Sequence, residues 1–281
     1  MKKRIIKYSI ILLVILIIGL YLYFENNMLE ISKYEVKSDK VTSDFAGFKI
    51  AQISDNHNTN SKKLKNSILE SLKEEKPNII VITGDLVDSN WTNIDISIEL
   101  ISEIKDVAPI YYVSGNHEGR IGSDYDLLKQ KLIDNNVIIL EDKIEQININ
   151  ESTLNIVGIN DPTLEHKSYL EDDEIVTEVF KNLEFNSNTF TILLSHRPEL
   201  FELYANYKFD LVLSGHAHGG QIRIPFIGGL VAPNQLLLPK YDSGLYEKDN
   251  TKMIVSRGIG NSVLPFRINN NPELIYITIT N

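Results

Sequence analysis

Five short polar motifs each follow an apolar run of the sequence. They are Asp55-Asn56-His57, Gly84-Asp85, Gly115-Asn116-His117-Glu118, His196 and Gly215-His216-Ala217-His218. The runs before them are short and rich in β-branched residues, which predicts buried β-strands. The chain has six histidines, and five of them stand in these motifs. Such a gathering of imidazoles and carboxylates at strand ends indicates a site with metal or acid–base chemistry.

The residue types favour a metal site. Imidazole nitrogens and carboxylate oxygens bind borderline divalent metals, and amide oxygens bind them more weakly. Residues spaced as Asp-x-His or His-x-His point the same way on an extended backbone. The candidate metal ligands are Asp55, His57, Asp85, Asn116, His196, His216 and His218. This set exceeds the need of one tetrahedral ion and suffices for two ions that share a carboxylate, about 3.5–4 Å apart, as in centres that act on phosphorus.

The elements that must position these residues alternate between strands and helices. Helical spacing is found over residues 61–75, 94–106 and 124–135. Strands that alternate with such helices predict an α/β domain, whose ligand site lies beyond the carboxyl ends of the strands. Further β-type runs without long helices between them occupy residues 159–163, 222–226, 253–260 and 274–280. These later runs predict a second or mixed sheet within the same domain.

The N-terminus carries a separate signal. The run Tyr8–Phe24 is almost continuously apolar and, with the isoleucines before it, reaches the roughly 17 to 25 residues that cross a bilayer. It lacks the small residues of a signal-peptide cleavage site, which predicts an uncleaved anchor. Basic residues precede it, so we expect a cytoplasmic N-terminus and an extracytoplasmic body in the cell membrane. We predict an anchor over 1–24, a linker and edge segment over 25–46 and one domain over 47–281.

Composition excludes several classes of site. The 281 residues include no cysteine, which rules out disulfides, zinc–thiolate sites and cysteine nucleophiles. The net charge is −10, and four positive charges lie in the first seven residues, so the remainder carries −10 minus 4, or −14. So acidic a body should repel nucleic acids, and we expect no nucleic-acid polymer as a partner. Affinity for phosphate must then come from a local cation, which two divalent ions with only two carboxylate ligands would supply.

The motifs also carry a resemblance. In order, Asp55-x-His57, Gly84-Asp85-x-x-Asp88, Gly115-Asn116-His117-Glu118, His196 and Gly215-His216-x-His218 resemble the five motifs of the calcineurin-like metallophosphoesterase superfamily. The tail "HGGQIRIP…SRGIGNSVLPFR" is similar to the membrane-linked bacterial phosphodiesterases of that superfamily. The resemblance implies a four-layer α/β/β/α sandwich of two mixed β-sheets flanked by helices, here preceded by one transmembrane helix.

The resemblance further implies a role for each motif position. One divalent ion would be bound by Asp55, His57 and His218, and the other by Asn116, His196 and His216. Asp85 would bridge the ions, with a hydroxide between them as nucleophile. His117 would stabilise the transition state or protonate the leaving alkoxide. Glu118 stands where the family commonly has aspartate, and its expected task is to orient a neighbour. The ligand types suit Mn, Fe, Zn or Co.

Several polar residues allow two interpretations. Arg197 and Arg223 could contact a substrate phosphate or could be surface charges. Asp88 could ligate a metal, or it could cap a helix or accept a hydrogen bond from a ligand. His166 has no strand end before it and is expected to be a surface residue.

These observations predict a dinuclear-metal phosphoesterase that acts on a phosphodiester or phosphomonoester. The anchor alone motivates a lipid-linked or cell-envelope substrate. A hydrolase of the metallo-β-lactamase type is disfavoured because "GHAHGGQ" lacks the Asp-His pair of His-x-His-x-Asp-His. The other alternative is a non-catalytic envelope binding module that keeps metal for structure. Structural metal sites are closed by protein ligands, whereas this set has surplus ligands and a spare His117.

Overall fold

The computed structural model describes residues 2–165, 170–186, 188–261 and 264–281, so the predicted surface residue His166 lies outside the described residues. The strands are β1 (Glu30–Lys37), β2 (Phe48–Ile53), β3 (Ile79–Thr83), β4 (Ile110–Val113), β5 (Ile138–Ile139), β6 (Lys143–Ile149), β7 (Ser152–Gly158), β8 (Thr191–Leu194), β9 (Leu211–Ser214), β10 (Arg223–Ile224), β11 (Gly228–Gly229), β12 (Val231–Ala232), β13 (Leu236–Leu237), β14 (Gly244–Lys248), β15 (Thr251–Val255) and β16 (Glu273–Thr280). The α-helices are α1 (Lys2–Asn27), α2 (Lys62–Glu75), α3 (Ile94–Ile104), α4 (Asn116–Arg120), α5 (Asp124–Asp134), α6 (Asp172–Asn182) and α7 (Phe201–Asn206).

Two six-stranded mixed sheets form the centre of the domain. The first has the order β1-β16-β2-β3-β4-β5, in which β2 to β5 are parallel and β16 runs antiparallel to β2. The second has the order β14-β15-β9-β8-β7-β6, in which the four inner strands are parallel and the two outer ones antiparallel to their neighbours. Most connections between the parallel strands of the first sheet therefore pass through helices, as expected for crossovers.

Alternation of side chains along the strands produces four layers. In β2, Ile50 points into a core between the two sheets, whereas Ala51 packs towards α2, α3 and α5. In β9, Leu211 and Leu213 point into the same inter-sheet core, and Val212 packs towards α6 and α7. Strands buried on both faces read as continuous apolar runs, as the sequence does here. The predicted α/β/β/α sandwich is confirmed.

The helices bury one apolar stripe each, as α2 illustrates. Leu64, Ile68 and Leu72 lie four residues apart on one face, and all three are buried against the first sheet. Ser61 caps the helix because its side chain accepts a hydrogen bond from the Leu64 N–H. The remaining α2 surface is polar, so this helix forms an outer layer of the sandwich.

Helix α1 stands apart from the layers. Its segment Lys3–Asn27 contains an 18-residue window with a mean hydropathy of 2.6 and no buried residue, so the helix is long and apolar enough to cross a membrane. The helix ends at Asn27, three residues beyond the predicted anchor. The next segment, inside the predicted linker, forms the edge strand β1 beside β16.

One of the later β-type predictions is wrong. Residues 159–163 form no strand, because Pro162 begins a 3₁₀ turn, Pro162–Glu165. Residues 222–226 contribute only the two-residue strand β10. Conversely, the hairpin of β6 and β7 was not predicted, since β6 is a half-exposed outer strand whose isoleucines alternate with polar residues.

Candidate metal centre

Asp85 lies where the two loops after β3 and β4 meet. Its Oδ1 accepts a hydrogen bond from the His117 N–H at 2.8 Å, which leaves Oδ2 free to face the loops of the second sheet. The Glu118 carboxylate fixes both loops, because Oε2 accepts from the N–H groups of Asp85 (2.8 Å) and Gly115 (2.6 Å). Its Oε1 accepts from the Val87 N–H at 3.1 Å. Glu118 thus orients its neighbours, as predicted.

The first cluster of candidate ligands gathers around the end of β2. His57 Nε2 lies 3.0 Å from His218 Nε2 and 3.6 Å from Asp85 Oδ2. Asp55 Oδ1 lies 3.3 Å from His218 Nε2 and 4.0 Å from His57 Nε2. All four side chains are buried. The His216 N–H donates to both Asp55 oxygens, at 3.0 and 3.1 Å, so a loop of the second sheet holds a carboxylate of the first.

The second cluster shares Asp85 with the first. His196 Nε2 lies 3.2 Å from Asp85 Oδ2, 3.1 Å from His216 Nδ1 and 3.2 Å from Asn116 Oδ1. Here too the side chains are buried. The His196 Nδ1–H donates to the Thr83 carbonyl at 2.8 Å, so its Nε2 faces the cluster. The structure thus brings all seven predicted ligands together in two groups.

The spacing of these atoms fits two metal ions. Ligand atoms held about 2.1 Å from one ion lie about 3.0 to 3.4 Å apart at octahedral or tetrahedral angles. The distances within each cluster run from 3.0 to 4.0 Å. The Asn116 amide and His216 Nδ1 both lie within 3.2 Å of His196 Nε2, and with the amide oxygen on this side a cation would satisfy the three together. The donor set of oxygen and imidazole nitrogen suits a borderline divalent metal.

Electrostatics keep most of the imidazoles in the ligand form. Burial lowers the pKa of His57 to about 4 and lowers the pKa of His216 and His218 well below the usual 6.5. These three rings are therefore neutral at pH 7. His196 differs: burial lowers its pKa, but the Asp85 carboxylate outweighs burial and raises that pKa to about 10. Metal binding beside Asp85 must release this proton.

His117 belongs to neither cluster but lies beside both. Its Nδ1 accepts a hydrogen bond from the Ser89 N–H at 2.9 Å, so the neutral ring carries its proton on Nε2. That Nε2–H lies 4.0 Å from Asp85 Oδ2. His117 therefore presents a proton donor to the centre rather than a lone pair.

The backbone at these loops departs from the predicted extended form. Five of the seven candidate ligands have positive φ angles: Asp55 (51°), His57 (46°), Asp85 (51°), His216 (68°) and His218 (49°). Their side chains converge through left-handed turns, not through strand alternation, because the strands end before them. Non-glycine residues at positive φ are uncommon and concentrate at functional sites.

Two glycines make the close approach of these loops possible. Gly84 has φ = 89°, and a Cβ there would lie 2.6 Å from His196 Nδ1. A Cβ on Gly215 would overlap Ser54 Oγ and the Asp55 carboxylate. The space that the glycines leave is thus filled by ligand side chains and their neighbours.

Residues 48–220 match the calcineurin-like phosphoesterase family. The chain belongs to this family. An uncharacterized metallophosphoesterase of Aquifex aeolicus is 31% identical over 94% of this chain and 96% of its own length. The phosphodiesterase YaeI of Escherichia coli is 26% identical over 73% of this chain and 72% of its own. These similarities make a phosphoester hydrolase the class of activity expected of this calcineurin-like chain.

The fold of this calcineurin-like phosphoesterase is shared with solved structures. The TT1561 protein of Thermus thermophilus has a TM-score of 0.52 and 10% sequence identity, covering 76% of this chain and 90% of its own. At that identity the likeness concerns the fold alone. The alignment agrees with the four-layer arrangement seen here.

The surface-charge interpretation of Arg197 disagrees with its surroundings. The side chain is 4% exposed, so it is not a surface charge. Its Nε and Nη2 donate to Asp161 at 2.6 and 2.9 Å, and its Nη1 donates to Asp172 at 2.9 Å. Arg197 thus forms a buried ion pair, and its contact with a substrate phosphate stays a prediction. Arg223 is partly exposed but held, since its Nη1 donates to Gly219 O at 3.0 Å and Asp242 Oδ2 at 3.1 Å.

Asp88 and Glu199 contact the outer nitrogens of candidate ligands. Asp88 Oδ2 lies 3.7 Å from His57 Nδ1, while its Oδ1 accepts from the Asn90 N–H at 2.7 Å. At 3.7 Å no hydrogen bond joins Asp88 to His57, and Asp88 also groups with His57 and His117 as a possible metal ligand, so both interpretations of Asp88 stay open. Glu199 Oε1 lies 3.8 Å from His216 Nε2. Sequence reasoning missed Glu199, and its position three residues after His196 was the only available signal.

The Arg197–Asp161 pair gives a stability prediction. Arg197→Leu should lower the free energy of unfolding by about 3 to 5 kcal/mol at pH 7, because it leaves a buried carboxylate unpaired. Burial alone raises the pKa of Asp161, and Arg197 holds it below its usual value. Without Arg197 that pKa rises, so the deficit should shrink as pH falls and Asp161 is protonated. Denaturant unfolding at several pH values in detergent measures this.

The matched control is the double variant Arg197→Leu/Asp161→Leu, which removes both charges. We expect it to recover most of the lost stability. If Arg197→Leu is as stable as the native protein but has a raised KM for a phosphoester, the structural role of Arg197 is contradicted and its contact with the substrate is supported.

Proposed function

We propose that this chain is a membrane-anchored phosphoesterase with two divalent metal ions, acting on a phosphodiester or phosphomonoester outside the cytoplasmic membrane. The observation that carries the proposal is the pair of buried ligand clusters that share Asp85 Oδ2. Asp55, His57, His218 and Asp85 would hold one ion, and Asp85, Asn116, His196 and His216 the other. The phosphodiesterase YaeI supports the diester as the first substrate to test.

Two bound divalent ions would supply the charge that polarises a phosphoryl group and lowers the pKa of water. The protein contributes a low negative charge in the ligand set, since only Asp55 and Asp85 are carboxylates. The centre would therefore remain net positive and attract a phosphate anion, although the whole chain carries −10. Backbone donors hold both carboxylates in place, from His216 to Asp55 and from His117 to Asp85.

His117 is the proton donor in this proposal. The Ser89 N–H occupies its Nδ1, which directs the Nε2–H towards the centre. From there it can donate to the oxygen of the departing alkoxide, a step that general acids of this type accelerate by about 10²- to 10⁴-fold. A non-catalytic binding module has no need of a proton donor held in one tautomer.

The contacts of α1 support an anchor that stays attached. Asn26 Oδ1 accepts from the Arg267 N–H at 2.9 Å, and Glu25 Oε2 accepts from the Asn270 N–H at 3.0 Å. A signal peptide is removed after export and needs no such bonds to the folded body. With basic residues before the apolar run, the proposed topology puts the N-terminus in the cytoplasm and the domain outside. A lipid-linked or cell-envelope phosphoester would then be within reach.

The role of His117 predicts a dependence on the leaving group. His117→Ala should lower kcat by about 10²- to 10⁴-fold for a dialkyl phosphodiester, whose alkoxide must be protonated to leave. The loss should be much smaller for an alkyl p-nitrophenyl diester, whose phenolate leaves unaided. Steady-state kinetics on purified full-length protein loaded with Mn²⁺ measure both.

Metal analysis of the same His117→Ala preparation is the control, and two ions per chain should remain bound. A variant that lost its metal and its fold together would instead support the structural, non-catalytic interpretation. Equal losses for the two diesters would rule out proton donation to the leaving group.

The topology can be tested because the chain has no cysteine. Glu151→Cys, on the exposed turn between β6 and β7, should react with a membrane-impermeant maleimide added to intact cells. Lys3→Cys, which keeps three of the N-terminal basic residues, should react only after the cells are lysed. The reverse labelling pattern would place the domain in the cytoplasm.

A further inference from the structure

The segment after the last candidate ligand exposes an unusual amount of apolar surface. Residues 223–238 form two short hairpins, β10–β11 and β12–β13, which we call the apolar hairpins. Their exposed side chains are Phe226, Ile227, Val231, Leu236, Leu237 and Leu238. Phe226 is fully exposed and Leu236 is 79% exposed. Contiguous apolar patches of this kind mark surfaces that contact a partner or a membrane.

The backbone holds these side chains outward at a cost. Phe226, Leu236 and Leu238 have φ angles of 67°, 59° and 56°. Bulky residues rarely adopt the left-handed region, so each of these conformations is strained. In a surface loop that stays in water, this strain and the exposed apolar surface would only lower the stability of the fold. The cost would be offset if the exposed side chains entered an apolar environment.

The base of the apolar hairpins is bonded to the loop that also holds α1. The Arg223 N–H donates to Ile268 O at 3.0 Å, and Asn269 Nδ2 donates to Arg223 O at 3.2 Å. On the other side of the same loop, Tyr21 OH donates to Asn269 Oδ1 at 2.9 Å. One asparagine therefore connects the first hairpin to the last turns of α1.

The composition of α1 places this connection at the membrane surface. Tyr21 and Tyr23 lie at the end of the apolar run, where aromatic side chains favour the interface between lipid and water. Lys63 Nζ lies 5.9 Å from the Tyr23 and Phe24 ring centroids, on the side towards the domain. Phe226 is three residues from Arg223, so its Cα atom lies within about 10 Å of the Arg223 Cα atom, near the interfacial end of α1.

The same segment leads directly into the candidate metal centre. Asn270 Nδ2 donates to the carbonyls of His218 at 2.7 Å and Gln221 at 3.1 Å. A groove of about 430 Å³ lies between Arg223–Gly228 and Asn269. Asn269 and Asn270 thus connect the end of α1 to the groove and to the backbone of the candidate ligand His218.

We propose that the apolar hairpins enter the outer face of the bilayer that α1 crosses, and that the centre takes lipid phosphoester headgroups from that face. The occupant of the apolar surface is the membrane itself, since the surface continues from the interfacial end of α1. The choice of substrate rests on the proposed phosphoesterase function, whereas the docking does not.

Single-cysteine variants test the docking without any substrate. Phe226→Cys carries an environment-sensitive fluorophore in the full-length protein, in nanodiscs of phosphatidylglycerol and phosphatidylethanolamine with nitroxide-labelled lipid. The matched control is Ile133→Cys on α5, which is 55% exposed. We expect at least threefold stronger quenching and a blue-shifted emission at position 226. Equal quenching at the two positions would overturn the docking.

A pair of p-nitrophenyl phosphodiesters tests the source of the substrate. One carries an ethyl group and stays in water, and the other carries a hexadecyl group and partitions into the nanodisc. Phe226→Asp/Leu237→Asp should lower hydrolysis of the hexadecyl ester at least tenfold and leave the ethyl ester within twofold. Ile133→Asp, the control, should change neither.

Each other outcome has a distinct meaning. Equal losses for the two esters would show that the hairpins affect the shape of the metal centre and do not dock the protein on the membrane. That result would overturn the proposal. A native protein that, loaded with Mn²⁺, hydrolyses neither ester and no p-nitrophenyl phosphomonoester would refute the proposed function, while the quenching measurement would still decide the docking.

Discussion

The candidate metal centre depends on the Asp85 carboxylate, whose two oxygen atoms have different partners. Asp85 Oδ1 is tied to the backbone of the loop after β4, and Oδ2 faces histidines from both sheets. Glu118 holds the N–H groups of the same two loops. A buried carboxylate needs positive charge or donors on both oxygens. Protonated His196, 3.2 Å away, meets that need at Oδ2, and a divalent ion that displaced its proton would meet the need at the same place.

The sandwich explains how seven distant residues come together. The parallel strands β2, β3 and β4 end at the same edge of the first sheet, and β8 and β9 end at the matching edge of the second. The apolar core between the sheets holds those edges in contact, and hydrogen bonds cross there: Gln52 Nε2 donates to Ser214 O at 2.9 Å, and His216 N–H donates to Asp55. A rigid scaffold of this kind can support strained loops, which is why left-handed backbone conformations concentrate at the ligand positions.

The strands that carry the site were predictable because they are buried on both faces and so appear as short apolar runs. β2, β3, β4, β8 and β9 coincide with the five apolar runs that precede the motifs. The order of layers was not available from periodicity and came from the family resemblance. What failed depended on contacts between distant residues. Arg197 looked like a free charge because its partner Asp161 is 36 positions away. The left-handed turns at His57 and His218 follow from tertiary packing that no local pattern records.

Anomalous diffraction from crystals of the full-length protein grown with Mn²⁺ tests the central claim most directly. The account predicts two peaks about 3.5–4 Å apart. They should lie on either side of Asp85 Oδ2, one among Asp55, His57 and His218 and the other among Asn116, His196 and His216. A single peak, or peaks that do not share Asp85, would contradict a dinuclear centre.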